Sequence, residues 1–535
     1  MQEQIIAMIS EIKEDAQLAN SLNEHSNIME DGGLDSLQLI TFVLKVEEHF
    51  GIEIDFEQFD FNLMESVTTF CNYISELAED NACMNDRRKS ELIIGTFDAE
   101  RFWRDPNLAK LPSFHDPEME NIVMAMDELL FPFCEAQDRL ITRYRMNVCH
   151  KDYLHEIGFE FLSNSTDLES PDVGSAGRTA NIFDLLISAD RMDDMDLHWL
   201  DGARLSPFAV IPGADRTAAR YGLEQDFPAV ETVQIVNSKL YSTELNRHLD
   251  LRCDSQTVYS PEELLASGLT LLNQGPFLIK DEFGVSGKGN LLIESEAILQ
   301  RVTSYVADQC SKGKTVRFII EPFLRKELDF SCQFHIDPDG TYRHISVQQL
   351  VNHNFAYQGS YTADDRLLHV LQEAKYFDVM KRAARELYRS GYHGDVCVDS
   401  MLLTDGRIVP IVEVNARRSM SLIKHYVDRY LKKHDTAGSM THATLQFACD
   451  VSFDQLMESL DREGVLYKPD RGFGILPLSA NTLLINKVVS ECKGIRNKQV
   501  KGRLYYSLIE GEWDNERLTA KVKEVLSSLS FKIVG

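Results

Sequence analysis

The chain has 535 residues, of which 44% are apolar, enough to build several cores and too many for a disordered polymer. At roughly 150 residues per domain, that length predicts three or four domains. A net charge of −29 argues against a nucleic-acid partner, and no apolar run approaches the ~20 residues needed to span a bilayer.

Met1-Gln2-Glu3-Gln4 is acidic and lacks the basic region of a signal peptide. Ten cysteines are scattered without a Cys-x-x-Cys pair, so neither a zinc site nor a disulfide framework is indicated. A soluble chain in a reducing cytoplasm is the expectation. The charge is uneven. Residues 1–80 carry 18 acidic against 2 basic residues, a net −16, and the remaining 455 carry 66 against 53, a net −13. The acidic N-terminal module is therefore expected to dock on basic surfaces of other proteins, downstream enzymes among them.

Ile5, Ile6, Met8, Ile9 and Ile12 recur at helical spacing and predict a helix over 2–18. A polar stretch ending in Glu30-Asp31-Gly32-Gly33 follows. Leu37, Leu39, Ile40, Phe42, Val43, Leu44 and Val46 then predict a second helix, with Asp35 or Ser36 as its N-cap. Residues 66–78 repeat the pattern, and a turn at 55–61 is a candidate small helix, which makes a helical bundle with long loops. Within Gly33-Leu34-Asp35-Ser36-Leu37, Ser36 reads in two ways. It is a plain cap, or it carries a phosphodiester at the positive end of a helix. Over its whole length the module resembles acyl and peptidyl carrier proteins. That resemblance implies a 4'-phosphopantetheine on Ser36, added by a separate phosphopantetheinyl transferase. Residues 81–90 read as a polar linker.

From residue 91 the pattern changes to strands alternating with helices, beginning with Glu91-Leu92-Ile93-Ile94-Gly95. Residues 91–230 hold few chemical signals, and Arg143, Arg145, His150 and Lys151 read as solvated surface, the alternative being contact with a substrate. Pro276-Phe277-Leu278-Ile279-Lys280 is a strand ending in a lysine, followed by Gly284-Val285-Ser286-Gly287-Lys288-Gly289, whose glycines let backbone N–H groups approach an anion. Its spacing is neither a Walker A loop nor a dinucleotide fingerprint. Phe318-Ile319-Ile320-Glu321 ends in a carboxylate, and so does Gly394-Asp395-Val396-Cys397-Val398-Asp399. In the strand 408–417, Glu413 and Asn415 fall two apart on one face. A hairpin through Thr404-Asp405-Gly406 sets Asp399 beside Glu413, a pattern that suits magnesium or an acidic solvated edge.

In order and spacing, residues 91–440 resemble the ATP-grasp superfamily. The resemblance implies that Lys239 and Lys280 contact nucleotide phosphates and that Gly284, Ser286, Gly287, Lys288 and Gly289 form the small phosphate loop. It implies further that Glu321 and Leu324 hold adenine at the hinge, that Asp399, Glu413 and Asn415 hold Mg2+, and that Arg417 faces the γ-phosphate or acyl phosphate. An acid for the ribose is expected about seven residues after Glu321. Leu328 stands there, flanked by Glu327 and Asp329, and Asp329 is taken as the contact. Gly284–Gly289 and Glu413-Val414-Asn415-Ala416-Arg417-Arg418 are most similar to pheganomycin-type peptide ligases and the butirosin-type carrier-protein aminoacyl ligase.

The expected fold is thus multidomain: an all-α carrier bundle (1–80), a linker (81–90), an α/β pre-ATP-grasp domain (91–230), an α+β ATP-grasp domain (231–440) and a small C-terminal module (441–535). The implied function, in natural-product biosynthesis, activates a small carboxylate or amino acid as an acyl phosphate with ATP and Mg2+. The acyl group then passes to the phosphopantetheine thiol of its own or a related carrier domain. The alternative acceptor is an amine, giving an amide or peptide bond. Arg325, Arg417 and Arg418 are candidates to grip the substrate carboxylate.

Overall fold

The computed structural model describes residues 1–535 apart from 14, 16–17, 35, 51–53, 55–60, 76–88, 172–179, 189–201, 285–288, 354–355, 449–450, 496–498 and 535. It divides into two compact units, Met1–Lys89 and Ser90–Gly535.

The regular elements described in the first unit are all helical. Helices Gln2–Ile12 and Ser36–Phe50 and the helical residues 67–75 bury Ile5, Ile9, Phe42, Val43, Val46, Val67, Phe70 and Ile74 against one another. The rings of Phe42 and Phe70 stand 5.5 Å apart at the centre of this core. The helix expected over 2–18 stops at Ile12, and a separate short helix follows at Leu18–Ser21. Past the helix end the Lys13 ammonium donates to the Gly33 carbonyl at 2.7 Å, and the Asp15 N–H reaches back to the Ser10 carbonyl. Of the turn expected at 55–61, residues 55–60 lie outside the described residues, and Phe61–Glu65 is a 3-10 turn.

The second unit is built on three sheets. A parallel five-stranded sheet runs Leu162–Ser163, Arg139–Ile141, Glu91–Ile94, Arg204–Pro207, Glu224–Gln225. Its central strand is a continuous apolar run, as a strand covered on both faces requires. An antiparallel four-stranded sheet runs Gln256–Val258, Phe318–Pro322, Phe277–Asp281, Asn290–Ile293. Helices Pro261–Leu272 and Glu296–Ser311 share a core with it through Leu264, Leu271, Leu299, Val302 and Val306.

The third sheet has nine strands, all paired antiparallel. Its path is Ile408–Asn415, Gly394–Leu403, Lys326–Ile336, Tyr342–His353, Ala356–Thr362, Gly438–Ala448, Gln499–Ile509, Gly474–Pro477, with Lys532–Ile533 beside Gly438–Ala448. The 440/441 boundary expected from sequence falls inside the Gly438–Ala448 strand. The tail extends the central sheet through eleven register pairs between that strand and Gln499–Ile509, so it does not form a sheet of its own. Among the described residues, no helix is long and apolar enough to cross a membrane.

Candidate active site

The Lys326–Ile336 strand positions the site. Phe330, Cys332, Phe334 and Ile336 are buried in the core, so Asp329, Ser331 and Gln333 point to the opposite face. Across the ladder Ser331 pairs with Asp399, and Asp399 pairs in turn with Glu413, while Cys397 pairs with Asn415. The hairpin read from the sequence therefore brings the two carboxylates side by side. Helix Met420–Lys432, capped by Ser419, covers this face, with the Ser331 and Ser421 hydroxyls 2.9 Å apart.

A cavity of about 270 Å³ gathers most of the expected residues: Lys280, Gly284, Glu321, Leu324, Asp329, Asp399, Glu413, Asn415 and Arg417 all line it. It adjoins a cavity of about 630 Å³ through Glu321, Pro322, Leu324, Met401 and Val412. It adjoins another of about 760 Å³ through Gly284, Asn290, Arg417 and Met420. Alone it is below the size of a typical ligand pocket of roughly 300–1,000 Å³, and with its neighbours it exceeds that size. A groove of about 900 Å³ around Asn147, Asp152 and Asp454 shares none of these residues.

Both lysines are buried, and both are held by carboxylates. Lys280 donates to Glu321 Oε1 at 2.5 Å, and Ser255 donates to the other oxygen of Glu321 at 3.0 Å. Burial works against the Lys280 charge. Glu321, Glu413 and Asp399 outweigh it and hold the ammonium above its ordinary pKa. Ser238 caps helix Lys239–His248, which directs Lys239 from the first helical position. Lys239 donates to Glu413 Oε1 at 2.5 Å and to the Gly284 carbonyl at 3.1 Å.

Of the glycine loop, Gly284 and Gly289 are described, and Ser286, Gly287 and Lys288 lie outside the described residues. Gly289 has φ of +104°, and a Cβ there would stand 3.0 Å from the Gly284 Cα, so both conformation and space call for glycine. The Gly289 carbonyl accepts from the Asp281 N–H at 2.7 Å, which closes the base of the loop.

Asp399 is pushed up to about 7, first by burial and then by the negative charge of Glu413. Asn415 donates to Asp399 Oδ2 at 3.1 Å. Two carboxylates forced together in a buried place, with an amide beside them, are chemically suited to a hard divalent cation, whose charge relieves their repulsion. Among the described residues, no group of three His, Cys, Asp or Glu side chains forms a metal cluster. A set of two carboxylates and an amide suits a magnesium ion that completes its shell with water and phosphate.

At the place expected for a ribose acid the strand alternates regularly: Leu328 is in phase with the buried Phe330, and Asp329 with Ser331. Leu328 packs against the core, and Asp329 turns into the cavity, where Asn352 donates to it at 2.7 Å and Lys326 pairs with it. Glu327 faces Arg366 instead, 3.6 Å away.

The three arginines separate. Arg417 is partly buried and donates to Asn415 Oδ1 at 3.2 Å, and Arg418 bonds Asp395 at 3.3 Å and the Ser206 hydroxyl at 2.7 Å. Arg325 is exposed and does not line the cavity. Glu100 is the functional candidate that sequence reasoning missed. Helix Glu100–Trp103 is pinned by Trp103, whose indole N–H donates to the Val210 carbonyl at 3.0 Å. Glu100 Oε1 accepts from Arg417 at 3.0 and 2.5 Å. The guanidinium, disfavoured by burial, is held above its ordinary value by Glu100. One signal was available: Glu100 follows the carboxyl end of a strand in a parallel sheet, where such sheets place ligands.

Two residues read as solvated surface are buried instead. His150 is fully buried, with its Nε2 3.0 Å from the Pro477 carbonyl, and Arg143 pairs with Glu169 at 2.8 Å. Ser36 opens helix Ser36–Phe50, and Asp35 and the Ser36 side chain lie outside the described residues.

Residues 4–74 match the phosphopantetheine attachment site family, so the N-terminal unit is a carrier domain. The chain is similar to the [butirosin acyl-carrier protein]–L-glutamate ligase of Niallia circulans, at 22% identity over 310 residues, 57% of this chain and 67% of that protein. Two solved structures are distant likenesses. The ADP complex of purK, an N5-carboxyaminoimidazole ribonucleotide synthetase, has a TM-score of 0.46 at 11% identity and covers 83% of this chain and 98% of its own. Biotin carboxylase from Campylobacter jejuni has a TM-score of 0.47 at 11% identity and covers 84% and 93%.

Proposed function

We propose that the chain is an ATP-dependent carboxylate ligase of the ATP-grasp kind, fused to the carrier domain that receives its product. The observation that carries this reading is the convergence on one cavity of Lys280, Glu321, Asp399, Glu413, Asn415 and Arg417 from separate strands, with Lys239 reaching in to Glu413.

In this reading Lys239 and Lys280 leave their carboxylates to meet nucleotide phosphates, with Gly284–Gly289 over them. Glu321 and Leu324 hold the base, and Asp329 the ribose. Asp399, Glu413 and Asn415 hold Mg2+, which when bound supplies positive charge to the phosphate oxygens. A substrate carboxylate oxygen attacks the γ-phosphorus of ATP, the bond to the β-phosphate oxygen breaks, and ADP leaves. Lys280 and Arg417 stabilise the charge that develops on the transferred group, which is where catalysis of phosphoryl transfer mainly lies. The resulting acyl phosphate is attacked at its carbonyl carbon by the thiol of a phosphopantetheine on Ser36, and phosphate is expelled. Fusion to the carrier supports a thiol acceptor, because tethering raises its effective concentration.

The test uses the phosphopantetheinyl form with ATP, magnesium and amino acids. Intact mass is expected to show an adduct that hydroxylamine removes and that Ser36→Ala abolishes. An amide product with no adduct on the carrier would move the reading to the amine acceptor. AMP instead of ADP would sink the ATP-grasp mechanism.

A further inference from the structure

The cavity of about 760 Å³ meets the expected phosphate end of the site at Arg417 and Gly284. Its wall includes Phe97, Met124, Met126, Phe208, Phe283 and Met420. The cations that also line it face acids or water: Arg104 holds Asp281 at 2.9 Å, His115 lies 2.9 Å from Glu120, Arg101 lies 3.9 Å from Asp98, and Lys110 is solvent-exposed. A second carboxylate on a substrate side chain would have to displace those acids and shed its water against thioethers and rings.

A separate observation concerns Glu100, which lines the smaller cavity beside Arg417. The residue is 6% exposed, and while Oε1 takes Arg417, Oε2 is shielded from water and has no hydrogen-bond partner among the described residues. Buried acceptors are almost always satisfied, so an unmatched carboxylate oxygen at a ligand cavity points to a donor on the ligand. The donor best suited to an anionic acceptor is a cation. A carboxylate group lies about the terminal torsion of a glutamate, which is soft, so a small rotation presents Oε2 to an incoming group.

Resting on the ligase reading above, we propose that the carboxylate substrate is an α-amino acid with an apolar side chain. Its carboxylate lies at Arg417, its ammonium is held by Glu100, and its side chain fills the Met–Phe cavity. The adjacent guanidinium and carboxylate match the adjacent charges of an α-amino acid. Methionines and rings accept branched or aromatic groups by repacking. This substrate class differs from the L-glutamate in the name of the butirosin relative.

The test measures ADP release by the full-length phosphopantetheinyl protein with L-leucine, L-methionine, L-phenylalanine, L-glutamate and 4-methylpentanoate, which is leucine without its amine. An apolar amino acid is expected to exceed both glutamate and 4-methylpentanoate in kcat/KM by about 100-fold. In Glu100→Gln the preference for leucine over 4-methylpentanoate is expected to shrink about tenfold or more, with the KM for ATP within about threefold. An equal loss for both compounds would make Glu100 only a support for Arg417 and overturn the ammonium assignment. Glutamate as the preferred substrate would overturn the apolar class and leave the ligase reading standing. No ADP release with any carboxylate would bring down the ligase reading itself. The substrate panel on the unaltered protein decides the substrate class even if the variant does not fold.

Discussion

Asp399 and Glu413 are register partners, and the Glu413 charge raises the cost of charge on Asp399. Neutralising either is expected to cost activity, but the two differ in stability. Asp399→Asn and Glu413→Gln should each lower ADP release by about 100-fold or more, because a proposed metal ligand is lost. Melting stays level or rises in Asp399→Asn as repulsion is relieved, and falls in Glu413→Gln, which leaves buried Lys239 without its carboxylate. Unchanged turnover in both variants would remove the metal assignment. Lys280 makes a different case, since its charge is kept by three surrounding acids. Lys280→Met is expected to raise the KM for ATP about tenfold or more, the size of one lost charge-assisted contact. Asp329 is separable from its neighbours by the same assay: Asp329→Ala should raise the KM for ATP, and Glu327→Ala should leave it unchanged.

At the scale of elements, the buried pair Glu128 and His150 ties the 3-10 segment Met126–Phe133 to the start of helix Asn481–Cys492. Glu128 Oε1 accepts from the N–H groups of Ala480 and Thr482, at 3.1 and 2.9 Å, and so caps that helix from another element. Burial pushes Glu128 up to about 8 and His150 down to about 4. Because the folded pKa of Glu128 lies above its unfolded value, its stabilising neutral form is fully present below about pH 4.5. That contribution is lost as pH rises through about 8. His150 acts in the other direction: its contribution is present above about pH 6.5 and is lost as pH falls through about 4. Glu128→Gln keeps an acceptor for the two N–H groups and removes the charge. Its melting temperature relative to the unaltered protein is therefore expected to rise between pH 5.5 and 8.5, and a constant difference would refute the assignment. Helix Asn481–Cys492 also approaches the central sheet at Gly502, where a Cβ would stand 2.0 Å from the Leu483 carbonyl oxygen. Gly502→Ala is expected to destabilise by about 1–3 kcal/mol or more, read as a lower urea midpoint with an unchanged slope.

For the whole molecule, the decisive feature is a sheet that runs from Ile408–Asn415 to Gly474–Pro477 without a break. The Gly438–Ala448 strand pairs with Ala356–Thr362 on one side and with Gln499–Ile509 on the other. A chain ended at residue 440 would lose Gln499–Ile509 and most of Gly438–Ala448, leaving the edge of Ala356–Thr362 open and the core split. It is expected to aggregate or fail to melt cooperatively, whereas a soluble chain with a sharp transition would show that the tail is dispensable.

The sequence alone determined the local chemistry. Periodicity placed the strands that carry Lys280, Glu321, Asp399 and Asn415, because side-chain alternation in a strand is fixed by covalent geometry, although Asp399 stands within Gly394–Leu403 and not at its end as the sequence suggested. The hairpin turn set Asp399 beside Glu413 because a short connection leaves few registers. The carrier domain was legible because its motif, helix spacing and charge are all local. What only the tertiary structure decided depends on distance along the chain. Glu100 meets Arg417 across 317 residues, and no periodicity reports such a contact. Which face of the Lys326–Ile336 strand lines the cavity depended on how the sheet packs, so that Asp329 lines it while Leu328 packs on the core. The burial of His150 and Arg143 followed from packing against later segments of the chain, so their polarity alone misled. The tail joined the central sheet because an open strand edge is paired by whichever segment the fold brings to it.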